Sequence, residues 1–267
     1  MITLKSPREI ELMRRSGKIT SSVLTALIKA VRPGMTTSEL DRMAEEGIRQ
    51  AGGVPTFKGY NGFPGSICAS VNDEVVHGIP GTRILREGDL LSIDIGTTLD
   101  GYVSDSAVTV PVGTISAQAR QLLDVTQECL TIGVAQMQAG KRVGDIGAAV
   151  QAHAERHGYG VVRELVGHGV GRSMHEEPQV PNYGEPGTGM ELRPGLVLAV
   201  EPMITQGGPR IRILGDGWTV VTADGKLAAH FEHTIAVTES GPKILTLRDY
   251  AERPEIERYR PAREAIA

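Results

Sequence analysis

Residues 92–107 read SIDIGTTLDGYVSDSA. Two apolar, β-branched runs flank Asp100-Gly101, a dipeptide that favours a tight hairpin turn because both of its residues tolerate positive φ. A turn there pairs Leu99 with Tyr102, Gly96 with Asp105 and Ala107 with Asp94. Paired residues share a face, so Asp94 and Asp105 point the same way on a diagonal, about 7–8 Å apart. An unpaired buried carboxylate costs several kcal/mol or more, so a strand that buries an acid needs a reason. A shared pair of cations supplies one, and Gly96 opposite Asp105 is expected to leave room for an ion. From this segment alone, two aspartates on the solvent face of a hairpin are the alternative.

Further apolar runs read as strands: SICASV (66–71), DLLSIDIG (89–96), YVSDSAVTV (102–110), GLVLAVEPMI (195–204), WTVVT (218–222) and HFEHTIAVT (230–238). Long helical stretches alternate with them. Ser6 with Glu9, and Pro7 between them, predict a helix to about Val31, stopped by Arg32-Pro33-Gly34. A second is expected from Thr36 or Thr37 to Gly52-Gly53, a third over 116–140 and a fourth over 143–158. The pattern predicts an α+β fold with helices packed on a mainly antiparallel sheet.

Residues 32–52 and 138–158 follow one plan. Gly34 falls on Gly140, Leu40 on Ile146, Ala44 on Val150 and Gly52 on Gly158, an offset of 106 throughout. The same offset carries Asp94 to within one residue of Glu201. Two halves built alike, each giving ligands from its sheet, are therefore expected.

Three more candidate ligands lie further along. His168 sits in VGHGVG among glycines that let backbone approach closely. The spacing is not that of a phosphate-binding GxGxxG loop. His175-Glu176 does not complete HExxH, because Gln179 takes the second histidine's place. Glu201 and Glu232 each interrupt an apolar strand. Singly, each is as readily a loop histidine or a sheet-edge glutamate. Together, four carboxylates and one imidazole suit Mn, Fe or Co and admit Zn, while thiolate-loving metals are disfavoured. Carboxylates bridging two such ions would hold a water between them and make it a nucleophile.

Composition narrows the class. The 267 residues are 40% hydrophobic and 22% charged, with net charge −4 and two cysteines. That balance is not the footprint of a nucleic-acid binder, and two cysteines are too few for a disulfide framework. No apolar run is long enough to span a bilayer. The N-terminus lacks a signal-peptide core, so a cytoplasmic location is expected.

The stretches NGFPGSICASVNDEVVHGIP (61–80), VGHGVGRSMHEEPQVPNYG (166–184), LAVEPM (198–203) and DGWTVVTADGKLAAHFEHTIAVT (216–238) resemble the motifs of type I methionine aminopeptidases, in that family's order. The resemblance covers residues 4–247. It implies the pita-bread fold, with two pseudo-symmetric halves in one catalytic domain over 1–247 and a charged tail over 248–267. It also implies removal of the initiator methionine from nascent polypeptides whose second residue is small. Matched residue by residue, Asp94 chelates one of two divalent metal ions (Co, Mn, Fe, Zn or Ni), Asp105 and Glu232 bridge both, and His168 and Glu201 complete the other. His77 and His175 match two catalytic histidines that contact the substrate, and Glu201 matches the proton-handling residue. Tyr60, Phe63, Cys68 and Trp218 match the walls of the methionine pocket, with Phe57 beside them.

Three positions depart from the pattern. Gly96 stands where Thr or Ser is common, Met174 where Phe is common, and Asn61 where histidine is frequent. No ligand is lost. The family implies a monomer, and the ribosome is a candidate partner for an enzyme acting on nascent chains. An X-Pro-type aminopeptidase and a non-catalytic binding module on the same fold are the alternatives. The chain's own second residue is the bulky Ile2, so retention of Met1 is expected.

Overall fold

The computed structural model describes residues 2–248. Met1 and residues 249–267 lie outside the described residues, and with them the expectations about Met1 and nearly all of the charged tail. Arg248, with which that stretch begins, is buried and donates from Nη1 to Ser106 Oγ at 2.6 Å.

Four α-helices are present among the described residues: α1 (Pro7–Ala30), α2 (Thr37–Gln50), α3 (Ala117–Ala135) and α4 (Val143–Arg156). Their starts follow from capping. Ser6 and Glu9 form a capping box on α1, and Thr36 and Glu39 form one on α2. Ser116 accepts the Ala119 N–H on α3, and Asp145 accepts the Arg142 N–H at the start of α4. α3 ends five residues before the expected Gly140. Two tight turns, Gln136 N–H to Gly133 O and Met137 N–H to Val134 O, draw Met137 into the core instead.

The internal repeat is structural. α2 moved by 106 positions coincides with α4 at both ends. Gly34 and Gly140 have φ of 89° and 87°, and Gly52 and Gly158 have 83° and 79°. These are conformations that favour glycine, bracketing each helix. Thr36 bridges to Ile84, and Arg142 to Glu191, so the offset grows by one beyond the helices. That extra residue places Asp94 on Glu201.

The strands Leu90–Leu99 and Tyr102–Pro111 form the long hairpin, in the expected register from Leu99↔Tyr102 to Leu90↔Pro111, with Asp94↔Ala107 and Gly96↔Asp105. Strand Ile67–Val71 pairs antiparallel along the other edge of Leu90–Leu99. The second half supplies a five-stranded sheet in the order Gly241–Ile244, His233–Thr238, Val197–Val200, Gly167–Gly169, Glu176–Val180, again antiparallel. Apolar side chains from the four helices and these sheets form one continuous core.

Two expected strands are each broken in two. The run 195–204 becomes Val197–Val200 and Met203–Thr205, and 230–238 becomes Ala228–His230 and His233–Thr238. Val200 pairs with His233 and Met203 with His230. One unbroken register thus sets Glu201 opposite Glu232 at the gap. Pro202 cannot donate to a ladder, and the Glu232 N–H turns away to Ala107 O at 2.9 Å. Each glutamate sits where its chain changes sheets.

Candidate metal centre

Buried hydroxyls bring the two halves together. Thr234 Oγ1 accepts the Asp105 N–H at 2.9 Å and donates to Asp105 O at 2.8 Å. Ser106 Oγ donates to Glu232 O at 2.8 Å, and Thr109 Oγ1 to His230 O at 2.9 Å. The hairpin of the first half is thereby fastened to the broken strand of the second, which puts Glu232 beside Asp105.

His168 arrives from the strand Gly167–Gly169. A Cβ at Gly167 would collide with Ala199 O, and one at Gly169 with Glu177 O, so only glycine lets this strand lie so close to its neighbours. His168 Nδ1 lies 2.9 Å from Gly169 O. An N–H there leaves Nε2 with a free lone pair, 3.5 Å from Glu201 Oε1.

All five expected ligands, Asp94, Asp105, His168, Glu201 and Glu232, line one cavity of about 100 Å³, together with His77 and His175. Asp105, His168 and Glu232 each offer a ligand atom within 4.8 Å of the others. Asp94 Oδ1, Asp105 Oδ1 and Glu232 Oε1 are buried without a hydrogen-bond partner in the protein. Burial pushes all four carboxyls up: Asp105 to about 7, and Asp94, Glu201 and Glu232 well above the usual carboxylate range, with their mutual charges adding to it. Burial pushes the His168 imidazole down to about 4. Orphaned acceptors and neutral imidazole are what divalent cations satisfy, and the donor set fits them.

The space beside Gly96 does not accommodate an ion, contrary to expectation. A Cβ there would stand 2.6 Å from Phe57 Cε1 and 3.2 Å from Thr56 Cβ. The Phe57 ring fills it.

A second cavity, of about 250 Å³, is lined by Phe57, Tyr60, Asn61, Phe63, Cys68 and Trp218. His77, Asp94, Met174 and His175 line both cavities, so the carboxylate cluster and the apolar pocket share a wall. Phe63 meets Trp218 edge-on at 5.1 Å. Asp216 holds Trp218 by accepting its N–H at 2.9 Å. Asn61 stands on the pocket with φ of 49°, a left-handed conformation that asparagine tolerates.

The two histidines are held differently. His77 also adopts positive φ, 59°, a strained conformation for this residue. Burial takes its imidazole down to about 4, so it is neutral near pH 7. His175 Nδ1 lies 2.7 Å from the Tyr60 hydroxyl. A phenol is the better donor of the two, which leaves the His175 proton on Nε2. Tyr60, expected only as a pocket wall, thus also orients His175. The loop 171–176 that carries Met174 and His175 is tied down twice: Lys5 Nζ contacts Glu176 Oε2 at 2.5 Å, and Arg172 Nη2 donates to the Tyr102 hydroxyl at 2.8 Å.

One neighbour escaped the sequence reading. His230 is buried, its Nε2 is 3.6 Å from Glu201 Oε2, and neither ring nitrogen has a hydrogen-bond partner within the protein. Its position two residues before Glu232 in a β-rich run was the available signal.

Residues 11–239 match metallopeptidase family M24. The chain is 53% identical over 246 residues to methionine aminopeptidase 1 of Bacillus subtilis, covering 92% of this chain and 99% of that protein. It is 51% identical to the methionine aminopeptidase of Clostridium perfringens over 247 residues, again 92% and 99% of the two chains. The crystal structure of a methionine aminopeptidase from Thermotoga maritima superposes with a TM-score of 0.91 at 44% identity, covering 93% of this chain and all of that one. A prolidase from Pyrococcus furiosus shares the fold at a TM-score of 0.76 and 22% identity, with 92% of this chain matched to 66% of that one.

Proposed function

The chain belongs to metallopeptidase family M24, and from that membership we propose that it is a metallo-aminopeptidase removing N-terminal methionine from polypeptides whose second residue is small. One observation carries the reading: the carboxylate cavity shares His77, Asp94, Met174 and His175 with a pocket walled by Phe57, Phe63, Cys68 and Trp218. A peptide held by its amino terminus at the first would place an unbranched apolar side chain in the second.

Family membership implies divalent metal. We assign the ligands as Asp94, Asp105, His168, Glu201 and Glu232, for two ions drawn from Mn, Fe, Co, Zn or Ni. When bound, such ions supply an activated water and polarise the scissile carbonyl. The protein's own groups do the rest. Asp94 lies where the substrate's α-amine enters from the pocket side. His175, with its Nε2 proton held in place by Tyr60, donates to the carbonyl oxygen. Glu201 takes a proton and passes it to the leaving amine, with the His230 imidazole 3.6 Å from its Oε2. His77, neutral near pH 7, hydrogen-bonds the peptide on the leaving-group side. A monomeric, cytoplasmic enzyme that meets nascent chains at the ribosome completes the proposal, on the family resemblance alone.

The test is turnover of Met-Ala-X and Ala-Pro-X peptides by chelator-treated protein before and after metal is restored. Metal-dependent cleavage of the first and not the second is expected. Preference for Ala-Pro-X would favour a proline-directed peptidase, a fold relative. No turnover with bound metal would favour a binding module.

A further inference from the structure

Outside that cavity, the facing helices α3 and α4 carry a second group of ligands. Glu128 lies on α3, His153 on α4, and His157 caps the end of α4. Residues four apart share a helix face, and the two imidazole rings stand 4.6 Å apart. Glu128 Oε2 reaches across to His153 Nε2 at 2.7 Å. One ligand atom from each of the three lies within 4.8 Å of the other two.

The His157 tautomer favours coordination, and that of His153 must change. His157 Nδ1 lies 2.9 Å from His153 O, so its proton is committed to the helix and Nε2 is left free for a ligand bond. His153 presents Nε2 to the carboxylate, where a cation would replace the shared proton. Its Nδ1 lies 3.3 Å from Arg156 Nη2, so metal binding requires that exposed guanidinium to turn away. Glu128 and His157 are exposed and His153 is half-buried, leaving the side chains free to close the remaining gap.

The repeat shows that this group is private to the second half. The residues 106 positions earlier are Ser22, Gly47 and Ala51. They line an open groove of about 500 Å³ between α1 and α2 and offer no imidazole or carboxylate. Where the first half keeps a gap, the second has placed two histidines and an acid.

We propose that Glu128, His153 and His157 form a surface site for a borderline transition metal, Zn(II) or Ni(II), tying α3 to α4 with a position left for water. Two imidazoles and one carboxylate suit these ions, whereas the oxygen-rich cavity tolerates harder ones. The site is separate from the one proposed for the reaction, and its test does not depend on that reading.

The untagged full-length protein and its H153Q/H157Q and E128Q variants are dialysed against Zn(II) and their bound metal counted, then compared on immobilised Ni(II). Far-UV circular dichroism of the metal-free proteins confirms folding. The wild type should hold one zinc more than the double variant and elute at higher imidazole, with peptidase turnover equal in all three. E128Q should bind at least on the order of tenfold more weakly, since even loss of a group that only supports a metal ligand costs about 10–100-fold. Equal zinc content in wild type and double variant would overturn the site. Unchanged affinity in E128Q would overturn the three-ligand assignment and leave only a histidine pair.

Discussion

Gly96 and Phe57 act as a complementary pair, and replacing Gly96 by Ala tests it. The added Cβ would stand 2.6 Å from Phe57 Cε1 and 3.1 Å from Cδ1. Carbon atoms in contact sit at about 3.5–4.0 Å, so the ring must retreat by roughly 1 Å. Phe57 is only 3% exposed and packs against Phe63 and Cys68, so its retreat narrows the apolar pocket. Overpacking of this kind costs about 1–3 kcal/mol. In a domain of this size each kcal/mol lowers Tm by about 2–4 °C, so Gly96→Ala should melt roughly 2–12 °C early. KM for Met-Ala-X should rise more than kcat falls, because the lost space belongs to the side-chain pocket. Phe57→Leu should relieve the clash. A double-mutant cycle should therefore return a favourable coupling of about 0.5–3 kcal/mol. An alanine variant with unchanged Tm and KM, or additive effects of the two substitutions, would refute the pairing.

Three further outcomes are expected. His77→Ala should depress turnover far more than it weakens metal binding, and parallel losses by kinetics and metal analysis would count against its assigned contact. The metal-free protein should lose stability as pH rises above about 6.5, where histidine is neutral in the folded and the unfolded chain alike. The four cavity carboxyls hold protons in the fold that the unfolded chain releases near pH 4, so a penalty grows from there and for Asp105 is complete above about 7. Below about pH 6.5 the buried His77 and His168 imidazoles, neutral in the fold and protonated in the unfolded chain, offset the carboxyls. Thermal melts with chelator should therefore fall from pH 7 upward, metal addition at pH 6–7 should release protons, and a Tm that climbs steadily above pH 7 without metal would contradict this. Lys5→Met removes the partner of Glu176 in the loop bearing His175. It should lower kcat/KM while metal content stays constant, and calorimetry with unchanged kinetics would show the contact to be structural only.

Local chemistry made much of the architecture legible. Capping residues announced two helix starts, and Asp100-Gly101 set the hairpin register to the residue, since turn geometry and a two-residue period leave one solution. The helix repeat was visible because both copies need glycines at matching ends. The broken strands were not visible. Apolar β-branched residues continue through Glu201 and Glu232 in sequence, and only Pro202 and the pull of Ala107 O show where each chain leaves its sheet. Gly96 misled because a missing side chain says nothing of what fills its space. His230 was passed over because a lone histidine in a strand carries no signal until its neighbour is known.

Taken by itself, the sequence determined the helices, most of the strands, the hairpin pairing, the repeat and five candidate cation ligands, because helix caps, turns and patterning depend on interactions between near neighbours. Only the tertiary structure decided that the acids of both halves meet in one cavity, that Phe57 occupies the room beside Gly96, and that α3 and α4 set His153 and His157 against Glu128. Those facts depend on contacts between segments tens of residues or more apart, where packing and buried hydroxyl ladders choose among arrangements that local preference leaves equal.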